Sequence, residues 1–245
     1  RDMVNEATMA LIFFLSAFVT AFAGFGFAMI SVPLLALLLP VKFAVALQFP
    51  YSMGLFMVQA WHYREHFKWD YARPFFGGAL VGLTIGAFVL NYLPEVQLKR
   101  LLAVIVALVV IFNLTGASRR IGDRFSQSPW LGRVCGVVSG SFLGAYNVGA
   151  PPMVIYIRSI SSDPLIIKSF IATVFSIQFG ILTCVYGATG MFSWEGLGTS
   201  AAFSPVVVLG ALAGFWLFRY ASNNVYRMAV DAVLLLAAVI LWIRA

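Results

Sequence analysis

Eight apolar segments separated by short polar connections run along the chain. A helix needs about 20 apolar residues to cross the hydrocarbon core of a membrane. Segments of roughly that length lie near residues 7–39, 43–63, 73–93, 98–115, 131–160, 165–188, 197–220 and 225–243. The pattern predicts an all-α, polytopic integral membrane protein of about eight membrane helices.

The first and fifth segments are too long for one plain span, and both are interrupted by Gly and Pro. The first interruption reads "AFAGFGFAMISVPLL" (21–35) and the second reads "GAYNVGAPPMVIYI" (144–157). A break in a membrane helix survives only where protein or a water-filled cavity satisfies the freed backbone groups. It also creates a helix N-terminus, whose amides and partial positive charge favour an anion.

The chain reads as two diverged copies of one four-helix unit. The only long polar connection, residues 116–130, lies at the midpoint and predicts a linker between a first repeat, 1–115, and a second, 131–245. Residues about 125 positions apart match in order: Gly24 with Asn147, Pro40 with Pro164, Phe67 with Phe192, Gly82 with Gly210, and Arg100 with Arg227. Duplicated halves, each with a broken first helix, are typical of secondary transporters.

The Lys and Arg residues favour inverted halves. If every segment crosses once, the sixteen basic residues divide about nine to seven between the two sides. If the two broken segments fold back as hairpins, they divide about eleven to five. Because cytoplasmic loops carry the excess of Lys and Arg, the second arrangement, with inverted repeats, is predicted.

Composition excludes a soluble domain. The chain is 62% hydrophobic and 10% charged, whereas soluble domains are about 25% charged. The net charge of +7 resides in short loops, which predicts contact with the lipid bilayer and attraction of a small anion rather than nucleic acid. The two cysteines lack C-x-x-C spacing, so no metal or cofactor is predicted. The sequence does not decide whether the protein forms a homodimer. The first segment is too long for a signal peptide and is preceded by acidic residues, so it is predicted to be part of the mature protein.

Polar residues beside the breaks and glycines within them make up the predicted anion site. Glycine lets a ligand approach the backbone closely, and proline suits the first turn of the helix that follows. The predicted substrate-binding residues are Thr20, Gly24, Gly26, Gln48, Tyr146, Asn147, Gly149, Pro151, Pro152 and Thr173. For Gln48 and Thr173, and also for Ser16 and Ser139, hydrogen bonding between helices is an equally good interpretation.

Two further glycine rows indicate helix packing instead of ligand binding. Small residues four apart let membrane helices approach closely. The rows are Gly78-x-x-x-Gly82-x-x-x-Gly86 and Gly136-x-x-x-Gly140-x-x-x-Gly144.

The broken segments resemble the TauE/SafE family of sulfite exporters and toluene-sulfonate uptake permeases. In that family a Gly-rich element followed by Pro lies near the start of each half, here "TAFAGFGFAMISVP" and "SGSFLGAYNVGAPPMVIYI". Asn147 departs from the pattern, because it stands where the family has glycine. The resemblance implies a multi-pass transporter of the bacterial inner membrane that carries sulfite, sulfoacetate or other sulfonates, with Gly24, Gly26, Asn147, Gly149, Pro151 and Pro152 as candidate positions. Alternating access, with the two halves rocking around a site between the breaks, is the predicted mechanism.

Two other functions compete with the carrier. "HYREH", His62 to His66, has the H-x-x-E-H spacing of a zinc peptidase with Glu65 as base, but no third ligand follows it. A channel would need a ring of carbonyls or charges, and no such sequence is present. The protein is predicted not to be an enzyme.

Overall fold

Helices account for all regular structure in the described residues of the computed structural model, which are 2–23, 26–115, 129–192, 194–217 and 223–244. The ten α-helices are α1 Asp2–Ala23, α2 Phe27–Leu35, α3 Val41–Tyr63, α4 Trp69–Tyr92, α5 Glu95–Thr115, α6 Pro129–Tyr146, α7 Ala150–Ile160, α8 Pro164–Ala188, α9 Trp194–Leu217 and α10 Asn223–Arg244. A 3₁₀ turn, Arg64–His66, follows α3. The all-α prediction is confirmed, and each of the two long broken segments corresponds to a pair of helices.

Several helices are suited to a lipid environment. Four spans among the described residues are long and apolar enough to cross a membrane: Val41–His66, Trp69–Tyr92, Pro164–Ala188 and Gly196–Gly214. Large apolar side chains such as Val58, Phe88, Leu212 and Ile243 are exposed on helix surfaces. Outward-facing apolar residues of this kind fit a protein whose solvent is hydrocarbon. The arrangement of eight inverted spans stays a prediction.

The helices form two compact units. The first unit comprises Arg1–Gln48, Leu93–Val110 and Phe192–Ala245, and the second comprises Phe49–Tyr92 and Ile111–Met191. Each unit therefore takes helices from both predicted repeats. The repeat boundaries themselves stay a prediction, and most of the linker between them lies outside the described residues.

In the first unit, α1 packs lengthwise on α9. The rings of Phe13 and Phe203 lie 5.2 Å apart, and a methyl group at Gly210 would press on the backbone of Phe14. The contacts advance together along both helices, so the two run in the same direction. Gly210 serves here as the small residue that lets the helices approach.

Two polar contacts fix α3 within the first unit. The Glu95 carboxylate accepts a hydrogen bond from the amide of Val41, the first residue of α3, at 2.9 Å. A carboxylate at this position satisfies a free amide and complements the helix dipole. The Ser200 hydroxyl of α9 donates to the carbonyl of Leu47.

In the second unit, α4 and α6 interlock through two rows of glycines. The rows are Gly78, Gly82 and Gly86 on α4 and Gly136, Gly140 and Gly144 on α6. A methyl group at any of these positions would overlap backbone atoms of the opposite helix. Gly78 faces Arg133 and Gly86 faces Ser141, so the two helices are parallel. The packing role predicted for both rows is confirmed.

Helix α8 completes the core of the second unit. Its N-terminus is capped by Asp163, whose carboxylate accepts from the Leu165 amide at 2.8 Å. Further along, Phe175 packs on Phe56 of α3 at 4.6 Å between ring centroids. Near its start, Phe170 meets Tyr156 of α7 at 5.8 Å. These contacts fix the height of α8 against its neighbours.

The glycine rows predict a sharp difference between two alanine substitutions on α4. We expect Gly82→Ala to lower stability by about 1–3 kcal/mol, because the methyl group must push α6 away. Gly77→Ala is the matched control, since its methyl group meets nothing within 4 Å and alanine favours a helix. Thermal unfolding in detergent measures both. Equal midpoints for the two variants would contradict the packing role.

Candidate functional site

The second break turns the chain back on itself. The Ser139 hydroxyl of α6 donates to the Gly149 carbonyl at 2.6 Å, although ten residues of straight helix would separate them by about 15 Å. Further from the break, a methyl group at Gly132 would touch the Tyr156 ring. Helices α6 and α7 are therefore the antiparallel arms of a hairpin. The interhelical role suggested for Ser139 is confirmed.

The first break also reverses the chain. The rings of Phe13 in α1 and Phe27 in α2 have centroids 6.2 Å apart, whereas fourteen residues of straight helix would separate them by about 21 Å. The second arms are short: α2 has 9 residues and α7 has 11. At 1.5 Å per residue, neither arm can cross a hydrocarbon core of about 30 Å.

Each break contains a residue with a left-handed backbone. Gly26 has φ 111° and Asn147 has φ 59°. The first value suits glycine, which has no Cβ to clash. Asn147 occupies a conformation that asparagine tolerates better than most residues, which explains how it can replace the glycine of the family pattern. Gly24 lies outside the described residues.

The carbonyl side of the second break is satisfied by protein groups. The amide of Asn147 donates to the Leu143 carbonyl at 2.8 Å, and that of Val148 donates to Phe142 at 3.3 Å. The Tyr186 hydroxyl of α8, which is fully buried, donates to the Gly144 carbonyl at 2.9 Å. The end of α6 therefore leaves little negative partial charge at the break.

The amide side of each break is the N-terminus of the helix that follows, and it differs from the hydrogen-bonded carbonyl side described above. The N-cap residue is Gly26 for α2 and Gly149 for α7, and glycine has no side chain that could accept from the first amides of the helix. The first amides of a helix have no partner within it. They give each break a partial positive charge that can hold an anion.

The two amide ends are not chemically equal. Helix α2 begins with Phe27, Ala28 and Met29, and all three carry an N–H group. Helix α7 begins with Ala150 and continues with Pro151 and Pro152, which carry none. The first break therefore offers more backbone donors than the second.

The polar residues predicted at the site lie at different places. Thr20 is buried in α1 of the first unit, and its hydroxyl donates to the Ser16 carbonyl at 2.6 Å. Gln48 is buried in α3, with Nε2 3.4 Å from the Val45 carbonyl. The hydroxyl proton of Thr20 is thus engaged by its own helix, and its role at the site stays a prediction.

The second unit brings together five of the predicted residues in one hairpin. These are Tyr146, Asn147, Gly149, Pro151 and Pro152. Tyr146 is fully buried and Asn147 nearly so. Thr173 lies on α8 in the same unit and is partly exposed.

Gln178 of α8 is a further polar residue that the sequence pattern did not identify. Its side chain is fully buried, yet neither Nε2 nor Oε1 has a hydrogen-bond partner in the described residues. The one signal in the sequence is a single amide within the apolar run "FSIQFGIL". The residue of α8 in the predicted site is Thr173 instead.

The H-x-x-E-H motif does not form the helical face that zinc binding needs. Helix α3 ends at Tyr63, and Arg64–His66 form a 3₁₀ turn. His62, Glu65 and His66 are all exposed. No group of three or more His, Cys, Asp or Glu side chains is placed to hold a metal within the described ranges.

A shallow cavity of about 590 Å³ lies in the second unit, away from the break. It is lined by Arg73, Pro74, Gly77, Gly78 and Arg133. Arg133 precedes the end of α6 by thirteen residues, which is about 20 Å along the helix. The cavity is therefore separate from the hairpin turn.

The left-handed backbone at Asn147 predicts the effect of two substitutions there. Asn147→Ala and Asn147→Gly both remove the side chain, but only alanine keeps a Cβ that clashes at positive φ. We expect Asn147→Ala to be less stable than Asn147→Gly by about 1 kcal/mol. Thermal unfolding in detergent compares them, and a more stable alanine variant would contradict the assigned backbone conformation.

Comparison with known proteins identifies the family of this chain. The family model described as sulfite exporter TauE/SafE matches residues 9–241, nearly the whole chain. Neither the curated proteins nor the solved structures gave a significant match. Since the match includes both hairpins and extends over almost every helix, the chain belongs to the sulfite exporter TauE/SafE family.

Proposed function

We propose that the protein is a secondary carrier of small sulfur-containing or organic anions, such as sulfite, sulfoacetate or other sulfonates. Membership of the family makes it a membrane transporter of the sulfite-exporter type. The substrate class and alternating access are the parts that we propose. The carrier exposes the bound anion first to one side of the membrane and then to the other.

The observation that carries this proposal is the pair of chain-reversing breaks, each followed by a helix whose N-cap residue is a glycine with no capping side chain. Both breaks place a helix N-terminus within an apolar helical segment, where a partial positive charge is poorly screened. A polar backbone inside a membrane is tolerated where it lines a cavity. An anion is the ligand that satisfies both conditions.

The charge of the chain supports the same substrate class. A net charge of +7 raises the local concentration of small anions near the protein. The exposed apolar residues described above support the lipid bilayer as its other partner. We propose the bacterial inner membrane as the location, in accord with the family resemblance.

Transport by the purified protein tests the proposal directly. In proteoliposomes, we expect the uptake of labelled sulfite to saturate with concentration. We also expect this uptake to be faster when the liposomes are preloaded with unlabelled sulfite or sulfoacetate than when they are empty. Counter-transport separates a carrier from a channel, because a channel does not couple opposite fluxes. Protein-free liposomes are the control for leakage. Flux that rises linearly with concentration and shows no counter-transport would contradict the carrier.

The backbone of the first break supplies a matched pair of variants for this assay. Alanine at Gly26 meets no atoms within 4 Å but requires φ 111°, whereas alanine at Gly54 of α3 meets no atoms and keeps a helical backbone. We expect Gly26→Ala to reduce sulfite transport by about tenfold, because the strain displaces the amides of α2. Gly54→Ala should transport normally, and equal rates would remove the first break from the site.

Cysteine labelling tests the inverted arrangement. In a variant without the two natural cysteines, Ser126→Cys lies in the predicted linker and Met191→Cys follows α8. With hairpins at both breaks, we expect an impermeant maleimide to reach these two positions from opposite sides of the membrane. Glu65→Cys, after α3, is the control and should label from the same side as position 126. Labelling of positions 126 and 191 from one side would overturn the inverted halves.

A further inference from the structure

The side-chain amide of Gln178 is buried at an energetic cost. Both of its polar atoms are enclosed without a hydrogen-bond partner in the described residues. Its nearest turns on α8 are occupied by the buried residues Val174, Phe175 and Leu182. An amide enclosed by apolar side chains loses its bonds to water and gains none in return. A polar ligand that reaches this position would restore them.

The contacts of α8 place Gln178 at the height of the second break. Helices α7 and α8 pack together and are joined by only three residues, 161–163, so they are antiparallel. Phe170 of α8 lies beside Tyr156 of α7. Gln178 is eight residues beyond Phe170, about 12 Å along α8, and Gly149 is seven residues before Tyr156, about 10.5 Å along α7. Gln178 is therefore level with the first turn of α7.

The helical rotation of α8 directs Gln178 toward the hairpin. Phe170, Gln178 and Tyr186 are spaced by eight residues, so each is turned about 80° from the one before. Phe170 contacts Tyr156 of α7, and Tyr186 donates to the Gly144 carbonyl of α6. Gln178 lies midway between these two residues, about 80° from each, so its side chain points between two directions in which α8 contacts the α6–α7 hairpin.

The chemistry of the second break explains why a side-chain donor is needed there. Pro151 and Pro152 remove two of the amides that a helix N-terminus normally offers. Gly149 and Ala150 are left as the backbone donors before the helix continues. A sulfite or sulfonate group presents three oxygens, so two amides leave at least one oxygen without a donor. The NH₂ group of Gln178 has two hydrogens to give.

We propose that Gln178 is a ligand-binding residue of the second break, where its Nε2 donates to an oxyanion held at the N-terminus of α7. This assignment rests on the proposed anion carrier and adds to it a side chain that selects for an oxygen-bearing anion. Thr173 lies five residues earlier on α8, about 140° around the helix from Gln178. It does not share this position.

Binding of sulfite and of methanesulfonate to the full-length protein in lipid nanodiscs tests the assignment. Gln178→Met keeps the length of the side chain and removes both polar atoms. We expect this variant to bind both anions about ten- to a hundredfold more weakly, which is the effect of losing one hydrogen bond to a charged group. Without anion, its melting temperature should equal or exceed that of the wild type, because no unsatisfied amide remains buried.

Two more variants make the result specific. Gln178→Glu keeps the size but replaces the donor with a group that repels an anion when ionised, and it should bind neither probe measurably. Ser176→Ala is the matched control, since the Ser176 hydroxyl is engaged by the Ala172 carbonyl of its own helix at 2.8 Å. This control should bind both anions as the wild type does.

The outcomes separate the two proposals. If the wild type binds sulfite and Gln178→Met binds it equally well, the role of Gln178 is overturned while the anion carrier stands. A Gln178→Met variant that melts at a lower temperature without anion would show a structural role and would also overturn the assignment. If the wild type binds neither probe saturably, the proposed function fails, and the role of Gln178 fails with it.

Discussion

The need to satisfy every backbone polar group in an apolar surrounding governs the structure at both breaks. Ending a helix inside a membrane frees carbonyls at one end and amides at the next start. At the second break the carbonyls are bound by the amides of Asn147 and Val148 and by the Tyr186 hydroxyl. The Gly149 carbonyl is bound by Ser139. The amide end keeps the partial positive charge of a helix N-terminus, so the break acquires a definite sign of charge.

Glycines hold the first arm of each hairpin close against a neighbouring helix. In the second unit the hairpin arm α6 is held against α4 along two rows of three glycines, and in the first unit α1 lies against α9 at Gly210. Each hairpin therefore packs on a helix that belongs to the other predicted repeat. Because a methyl group at any of these glycines would meet backbone, the two helices of each pair are in direct backbone contact there. The turn between the arms is thus positioned by rigid helices and not by a loop.

The sequence predicted the helical segments and the two breaks well, because both depend on local composition. Apolar length identifies a membrane helix, and Gly and Pro mark the place where it cannot continue. The packing role of the glycine rows was also predicted, because small residues spaced four apart let membrane helices approach closely. Gln178 was not, because a buried amide becomes informative only when its neighbours are known to offer no partner. For a similar reason the sequence did not show that the Thr20 hydroxyl is engaged by Ser16 within the same helix. The role of Thr20 at the site stays a prediction.

The two breaks share a shape but not a chemistry, and this difference follows from a few residues. Gly26 opens a helix whose first three residues all carry amides, whereas Gly149 opens one in which two prolines follow Ala150. Proline stiffens the start of α7 and suits its first turn, but each proline removes a donor. A break with fewer backbone donors depends more on side chains for its affinity, and side chains can distinguish between ligands by their geometry. We therefore propose that the first break holds negative charge in general and that the second recognises the arrangement of oxygens that carries it.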